Sequence, residues 1–225
     1  LGHKVYQTLS ERFPNVFCTI RQTKQHEQIA KISLLQADTV IESVNAEDLN
    51  SVAAVLEKVR PEVVVNCVGI IKQRSEAKAS LPSITVNSLL PHWLAEQCAV
   101  WGGRLIHIST DCVFSGKHGG GYGYTEQDPT DAEDLYGKSK QLGEVADENA
   151  LTLRTSIIGR ELNNRASLLE WFLSRNYAKV NGYKRAFYSG VTTNHLAEVV
   201  SDLIESHPTL SGLYHVASQT ITKFK

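Results

Sequence analysis

Strand-like and helix-like segments alternate along this chain of 225 residues. That alternation predicts the α/β class, a doubly wound parallel sheet with helices on both faces and a small C-terminal lobe. Three observations carry the expectation. Leu49, Val52, Ala53 and Leu56 recur at the i, i+3, i+4, i+7 spacing of an amphipathic helix, which Pro61 stops. Glu62–Asn66 and Arg104–Ile108 are short apolar runs of the kind buried inside parallel sheets. A helical pattern separates each such run from the next, as repeated β-α-β units require.

Taken in order, helix signal runs from His3 to about Phe13 and Val16–Ile20 reads as a strand. The amphipathic helix around residues 49–56 leads into strand Glu62–Asn66. A helix over roughly Ser88–Val100 and strand Arg104–Ile108 follow. Gly116–Asp134, rich in Gly and Asp, is a long loop before a helix from about Tyr136 to Asp147 and a strand over Leu151–Ser156. Residues 157–191 break the alternation, with one apolar helical run at Leu168–Leu173. Leu196, Val199, Val200 and Leu203 mark a last helix, and Leu213–Val216 a last strand. The division expected is a nucleotide-binding unit over residues 1–156 and a lobe over 157–225 whose late segments return to the core. In such sheets the ligand lies at the carboxyl ends of the strands. That rule selects Ile20-Arg21, Asn66-Cys67, Ser109-Thr110 and Ser156-Ile157 as site edges.

Composition narrows the function classes. The formal net charge of −1 offers no basic field to nucleic acid or an anionic membrane. The apolar runs are strand-sized and far too short to cross a bilayer. Cys18, Cys67, Cys98 and Cys112 are widely spaced, which argues against zinc and against a secreted disulfide framework, and a reducing cytoplasm is expected. The eight histidines show no HxxH or HExxH spacing, so no catalytic metal is expected. The start, Leu1-Gly2-His3-Lys4, has no long apolar run, so no signal peptide is expected. The absence of Met and the unfinished segment Ile221–Lys225 predict a chain trimmed at both ends.

Tyr136-Gly137-Lys138-Ser139-Lys140 carries the chemistry. Tyr and Lys at i and i+4 share one helix face. A nearby ammonium favours the phenolate, so the tyrosine is expected to move a proton near neutrality. Upstream, Arg104–Ile108 ends in Ser109-Thr110, a hydroxyl pair placed to hold a substrate carbonyl oxygen. Asn66 and the small residues after it allow close backbone approach to a cofactor.

The pieces STDCVFSG at Ser109–Gly116, YTEQDPT at Tyr124–Thr130, YGKSKQLGE at Tyr136–Glu144 and LRTSIIG at Leu153–Gly159 recur together. With RPEVVVNCVG at Arg60–Gly69 and VNSLLPHWLAEQC at Val86–Cys98, the chain resembles extended short-chain dehydrogenases/reductases. It is most similar to their dTDP-4-dehydrorhamnose reductase-like branch. The resemblance implies a Rossmann-type fold and reduction of a nucleotide-linked 4-keto-6-deoxy sugar for surface polysaccharide. It implies a proton donor at Tyr136, a ribose-binding lysine at Lys140, a catalytic hydroxyl at Thr110 and a proton-relay residue at Asn87. For Asn87 a plain helix cap is the competing reading. Gly2, Asn45, Asn66, Cys67, Val68, Gly69 and Ser109, with Tyr136 and Lys140, are the implied cofactor contacts. Arg21, a cation near the end of the second strand, suits a 2′-phosphate and favours NADP(H) over NAD(H), with a solvated surface residue as the alternative. Lys72, Asn164, Arg165 and Arg185 are the substrate-side candidates. The expected partners are a nucleotide sugar and a second copy of the chain in a homodimer, with no nucleic acid and no membrane. Ile157 stands where rhamnose-forming reductases usually carry an aromatic residue, which leaves the sugar open. An epimerase or dehydratase, for which Asp111 is suited, and a non-catalytic regulatory subunit of the same fold are the rival readings.

Overall fold

The computed structural model describes residues 1–71, 79–117, 123–162, 167–175, 178–184, 186–219 and 221–222. Helix α1 spans Gly2–Arg12, followed by strands β1 (Cys18–Thr19) and β2 (Val40–Ile41), helix α2 (Leu49–Val59) and strand β3 (Val63–Asn66). Next come α3 (Ser80–Ile84), a widened π-type turn over Thr85–Leu89, and α4 (Leu90–Val100). Strand β4 (Arg104–Ile108), helix α5 (Leu135–Leu142) and strand β5 (Ala150–Thr155) complete the first two-thirds. Beyond them lie β6 (Ile157–Ile158), α6 (Leu168–Leu173), β7 (Phe187–Tyr188), β8 (Val191–Thr192), α7 (Thr193–Ser206), β9 (Gly212–Val216) and β10 (Ile221–Thr222).

The main sheet runs β3-β4-β5-β9, and every pairing is parallel. Strands β1 and β2 form a separate parallel pair, as do β6 and β8, while β7 and β10 pair antiparallel. This is the Rossmann-type α/β sheet the alternation predicts. Because β4 and β5 are buried on both faces, their side chains alternate between two cores. Ile106, Ile108, Leu151 and Leu153 join Val5 and Leu9 of α1 and Leu196, Ala197 and Val200 of α7 on one face. Leu105 and Ala150 join Leu56 of α2 and Leu90, Leu94 and Ala95 of α4 on the other. Each buried Leu or Ile contributes about 1.5–3 kcal/mol of transfer free energy.

The ends of the helices follow local chemistry. Asp48 caps α2 by accepting from the Asn50 N–H, and the helix ends at Arg60 in a left-handed conformation with Pro61 behind it. Thr192 accepts from His195 N–H at the start of α7. Several boundaries differ from the expectation. The third helical region starts at Ser80 rather than Ser88. Pro82 lies in its first turn, where a missing N–H costs nothing. Helix α5 ends at Leu142 rather than Asp147, because the chain turns at Gly143. The first strand is shorter than Val16–Ile20. In the later third, α7 packs on α1 within the first core and β9 extends the main sheet.

Candidate active site

The carboxyl ends of β3, β4 and β5 lie side by side, and α5 lays Tyr136 and Lys140 against them. Three local features seat that helix. Asp134 accepts from Gly137 N–H at 2.8 Å as its N-cap. A Cβ on Gly137 would lie 2.3 Å from the Cys112 carbonyl oxygen, and one on Gly143 would lie 1.9 Å from the Asn87 carbonyl oxygen. Only glycine permits both close approaches, so the helix carrying Tyr136 and Lys140 is wedged between the end of β4 and the π turn.

Thr110 follows β4 and is buried. Its hydroxyl accepts from Cys112 N–H at 3.1 Å, donates toward Asp111 Oδ1 at 3.3 Å, and shares a hydrogen bond with Tyr136. Burial pushes the Tyr136 phenol up to about 12, with the Thr110 contact opposing. Desolvation thus outweighs the Thr110 hydrogen bond in setting how tightly the phenol holds its proton. The phenol is a held proton. Burial raises the Asp111 carboxyl as well, opposed by hydrogen bonds with Thr110, Cys112 and Ser156.

Lys140 is only 4% exposed. Its Nζ donates to the Ile108 carbonyl at 2.8 Å and lies 3.3 Å from His107 Nε2. Burial lowers it to about 8, with Glu144 and Cys67 pulling the other way. Asn87 sits inside the π turn. Its Oδ1 accepts from Ile70 N–H at 2.8 Å, and its Nδ2 donates to Ile70 O at 3.1 Å and to Ser139 Oγ at 3.0 Å. It clamps the turn after β3 to α5 and caps no helix.

Of the cofactor candidates, Arg21, Asn45, Asn66, Cys67, Val68 and Gly69 line one cleft of about 400 Å³, together with Thr19 and Glu47. Arg21 faces Glu47 across 3.6 Å, and both side chains are solvent-accessible. Asn45 Oδ1 accepts from Glu47 N–H. Gly2 starts α1 beside Cys67, and a Cβ there would be in ordinary contact at 3.6 Å. The wall is mixed in character, with an apolar floor of Val52, Leu56, Val64 and Leu90 and a polar rim. Its size and mixed wall suit one nucleoside of a dinucleotide. Ser109 stands apart: its Oγ donates to Glu144 Oε1 at 2.7 Å. Lys72, Asn164, Arg165 and Arg185 fall outside the described residues.

Sequence reading missed the buried supports. Glu144 and Arg154 form an ion pair, each 7% exposed, with Arg154 Nε and Nη2 donating at 2.8 and 2.7 Å. Arg154 also stacks over Phe114, which stacks on Tyr124 at 4.2 Å. Glu126 accepts from His215 N–H, holding the loop after residue 122 to β9. No spacing signal marks Glu144 and Arg154, ten residues apart on different elements. His107 had one: it interrupts an otherwise apolar β4 at a position that alternates with Ile106 and Ile108.

A parallel sheet with a half-buried Tyr and a buried Lys one helical turn apart, and a threonine hydroxyl at the adjacent strand end, defines a short-chain dehydrogenase/reductase-type protein. The chain belongs to the RmlD substrate binding domain family, whose model matches residues 1–225. It is 31% identical over 183 residues to the spore coat polysaccharide biosynthesis protein SpsK of Bacillus subtilis, covering 79% of this chain and 62% of that protein. It is 39% identical over 103 residues to the dTDP-4-dehydrorhamnose reductase of Streptomyces griseus, covering 44% of this chain and 33% of that one. The chain thus spans less than two-thirds of these relatives. A dTDP-4-dehydrorhamnose reductase of Bacillus anthracis, solved in complex with NADP, shares the fold at TM-score 0.71 and 20% identity over 92% of this chain and 76% of that one. Among the described residues, no helix is long and apolar enough to cross a membrane.

Proposed function

We propose that the protein is an NADPH-dependent reductase of a nucleotide-linked 4-keto-6-deoxy sugar, supplying deoxysugar for a surface polysaccharide. The observation that carries this reading is the placement of Tyr136 beside Thr110 at the carboxyl end of β4, with Lys140 one turn further along the same helix and bonded to the Ile108 carbonyl. NADPH, when bound, supplies the hydride. Thr110 holds the carbonyl oxygen, and Tyr136 passes its proton to that oxygen as negative charge develops there, afterwards regaining a proton from solvent. A phenol held near 12 stays protonated at neutrality, which is the form a reductase needs. Lys140 meets the nicotinamide ribose beside Tyr136, and Arg21 on the cleft rim faces the adenosine 2′-phosphate. The substrate lobe over 157–225, with Asn164, Arg165 and Arg185 as its polar contacts and Lys72 joining from the segment after β3, covers the nucleotide sugar, and the protein acts in the cytoplasm as a homodimer.

The test is loss of reduced-nicotinamide absorbance with a panel of nucleotide 4-keto sugars. Turnover with NADPH that vanishes in Tyr136→Phe supports the reading. Cofactor binding without turnover of any keto sugar overturns it in favour of a regulatory subunit. Cofactor-neutral conversion of a nucleotide sugar overturns it in favour of an epimerase or dehydratase acting through Asp111.

A further inference from the structure

Behind the reacting groups lies a chain of hydrogen bonds whose directions are fixed from one end. The Val68 backbone N–H can only donate, and it donates to Asn66 Oδ1 at 3.1 Å. The Asn66 amide nitrogen therefore points the other way, toward His107 Nδ1 at 3.1 Å. Being a donor, it requires a lone pair on Nδ1. The neutral ring then carries its proton on Nε2, which faces Lys140 Nζ at 3.3 Å. An imidazolium is disfavoured by complete burial and by Lys140, which together hold His107 well below its ordinary value. A neutral amine at Lys140 completes the chain: it accepts from His107 Nε2–H and donates to Ile108 O.

An ammonium does not fit the same arrangement, because it has three donors and no lone pair. For Lys140 to carry its charge, His107 must present a bare Nε2 and move its proton to Nδ1. Asn66 must then turn its carbonyl toward the ring, which takes that oxygen away from Val68 N–H and sets its NH2 beside that donor, so both N–H groups there must find acceptors elsewhere. Val68 is 44% exposed and lines the same cleft as Arg21 and Asn45.

From this geometry we propose that His107 is a positioning residue, a tautomer relay linking the charge on Lys140 to the availability of the Val68 N–H at the cofactor cleft. The role in the reaction rests on the reading of Lys140 as a cofactor-binding lysine; the relay itself does not. With Lys140 charged, the turn after β3 offers a free donor to the cofactor; with Lys140 neutral, Asn66 withdraws it. Burial holds Lys140 near 8, so both states lie within reach of ordinary pH. The other groups facing the relay are Glu144 beyond α5, Cys67 after β3, His92 of α4 and, on its own helix, Tyr136. Glu144 and Cys67 favour the charged lysine and His92 disfavours a charged ring.

The experiment is ¹⁵N NMR of histidine-labelled protein without cofactor or substrate, titrated from about pH 6 to about pH 10 around the lysine midpoint. His107 is expected to exchange an Nδ1–H tautomer at low pH for an Nε2–H tautomer at high pH without passing through imidazolium. The midpoint should match that of the Lys140 side chain, and the Val68 amide signal should shift with it. Lys140→Met should hold the Nε2–H tautomer at every pH, and Asn66→Asp should hold Nδ1–H and raise the lysine midpoint. One tautomer throughout in the wild-type protein, or a midpoint unchanged by Lys140→Met, overturns the proposal. If Asn66→Asp fails to fold, the Lys140→Met titration decides alone. Co-titration in a protein that reduces no keto sugar upholds the relay and removes the functional reading; turnover with a single fixed tautomer does the reverse.

Discussion

The two faces of strand β4 differ in a way that separates folding from chemistry. Ile106 and Ile108 enter an apolar cluster with side chains from α1, α7, β5 and β8, while Arg104 at the start of that face is tied to the His207 carbonyl. The opposite face starts the same way at Leu105, packed on α2 and α4, but turns polar two residues later. There His107, Asn87, Ser139 and Lys140 are all buried, and each has a hydrogen-bond partner. Burying polar groups costs free energy even when they are paired, and an apolar filling would do as well or better for stability alone. The first face is what a stable sheet needs; the second is what a reaction needs.

The strongest test of that division is Tyr136→Phe. Turnover should fall about 10²–10⁴-fold, the contribution of general acid catalysis. The thermal midpoint should barely move, since only a hydroxyl is lost. Near-normal turnover removes Tyr136 from the mechanism. Next in size is Glu144→Gln, which keeps the shape but leaves Arg154 buried without its counter-charge. A loss of about 3–5 kcal/mol is expected in denaturant titration. On the apolar face, Leu151→Ala should cost about 2–5 kcal/mol. The two should differ in kind: the folded fraction of Leu151→Ala keeps its KM, whereas Glu144→Gln frees Ser109 at the end of β4 and disturbs the site. Equal kinetic effects from both would dissolve the contrast between the faces.

Lys140→Met sharpens the comparison through pH. The lysine titrates near 8 in the folded protein against 10.5 when unfolded, so the unfolded chain holds the proton more tightly. Its contribution is then fully present above 10.5 and is lost as pH falls toward 8. Below 8 the Met variant should gain on the wild type by on the order of 1–3 kcal/mol relative to its standing above 10.5. Denaturation midpoints measured across that window give the difference directly; a flat difference means that Lys140 is not desolvated as described. An effect of similar size belongs to the exposed rim. Arg21→Ala should narrow the preference for NADPH over NADH by about 1.5–3 kcal/mol in binding titrations. Equal affinity for both cofactors before and after the change assigns the phosphate elsewhere.

How much of this was legible beforehand depends on whether the cause is local. The strands β3, β4, β5 and β9 announce themselves as short apolar runs between helical patterns, and Tyr136, Lys140 and Thr110 by type and spacing. The two-residue strands β1, β2, β6, β7, β8 and β10 carry too few residues for a period to show. Their pairing is set by what lies beside them. Helix α3 was hidden by Pro82, and the π turn by the absence of any composition signal. The burial that raises the tyrosine's phenol is a property of the packed fold, whereas the lysine four residues away is visible in sequence. The partners of Glu144, Asn66 and His107 are likewise products of tertiary approach.

The widened turn at Thr85–Leu89 has a consequence for heredity. A π turn holds one residue more than an α turn, so this chain carries, in place, the equivalent of a single inserted codon. Deleting Thr85 should let Ser80–Val100 close into one plain α-helix, turning the residues before it by about 100°, one residue's rotation, and shifting Asn87 within the tightened turn off Ser139. The preceding helix is only five residues long, so the swing falls on a short segment and spares both apolar clusters. Folding and site assembly can thus be inherited separately: one lost codon leaves a stable sheet whose cofactor turn is no longer tied to the helix that bears Tyr136.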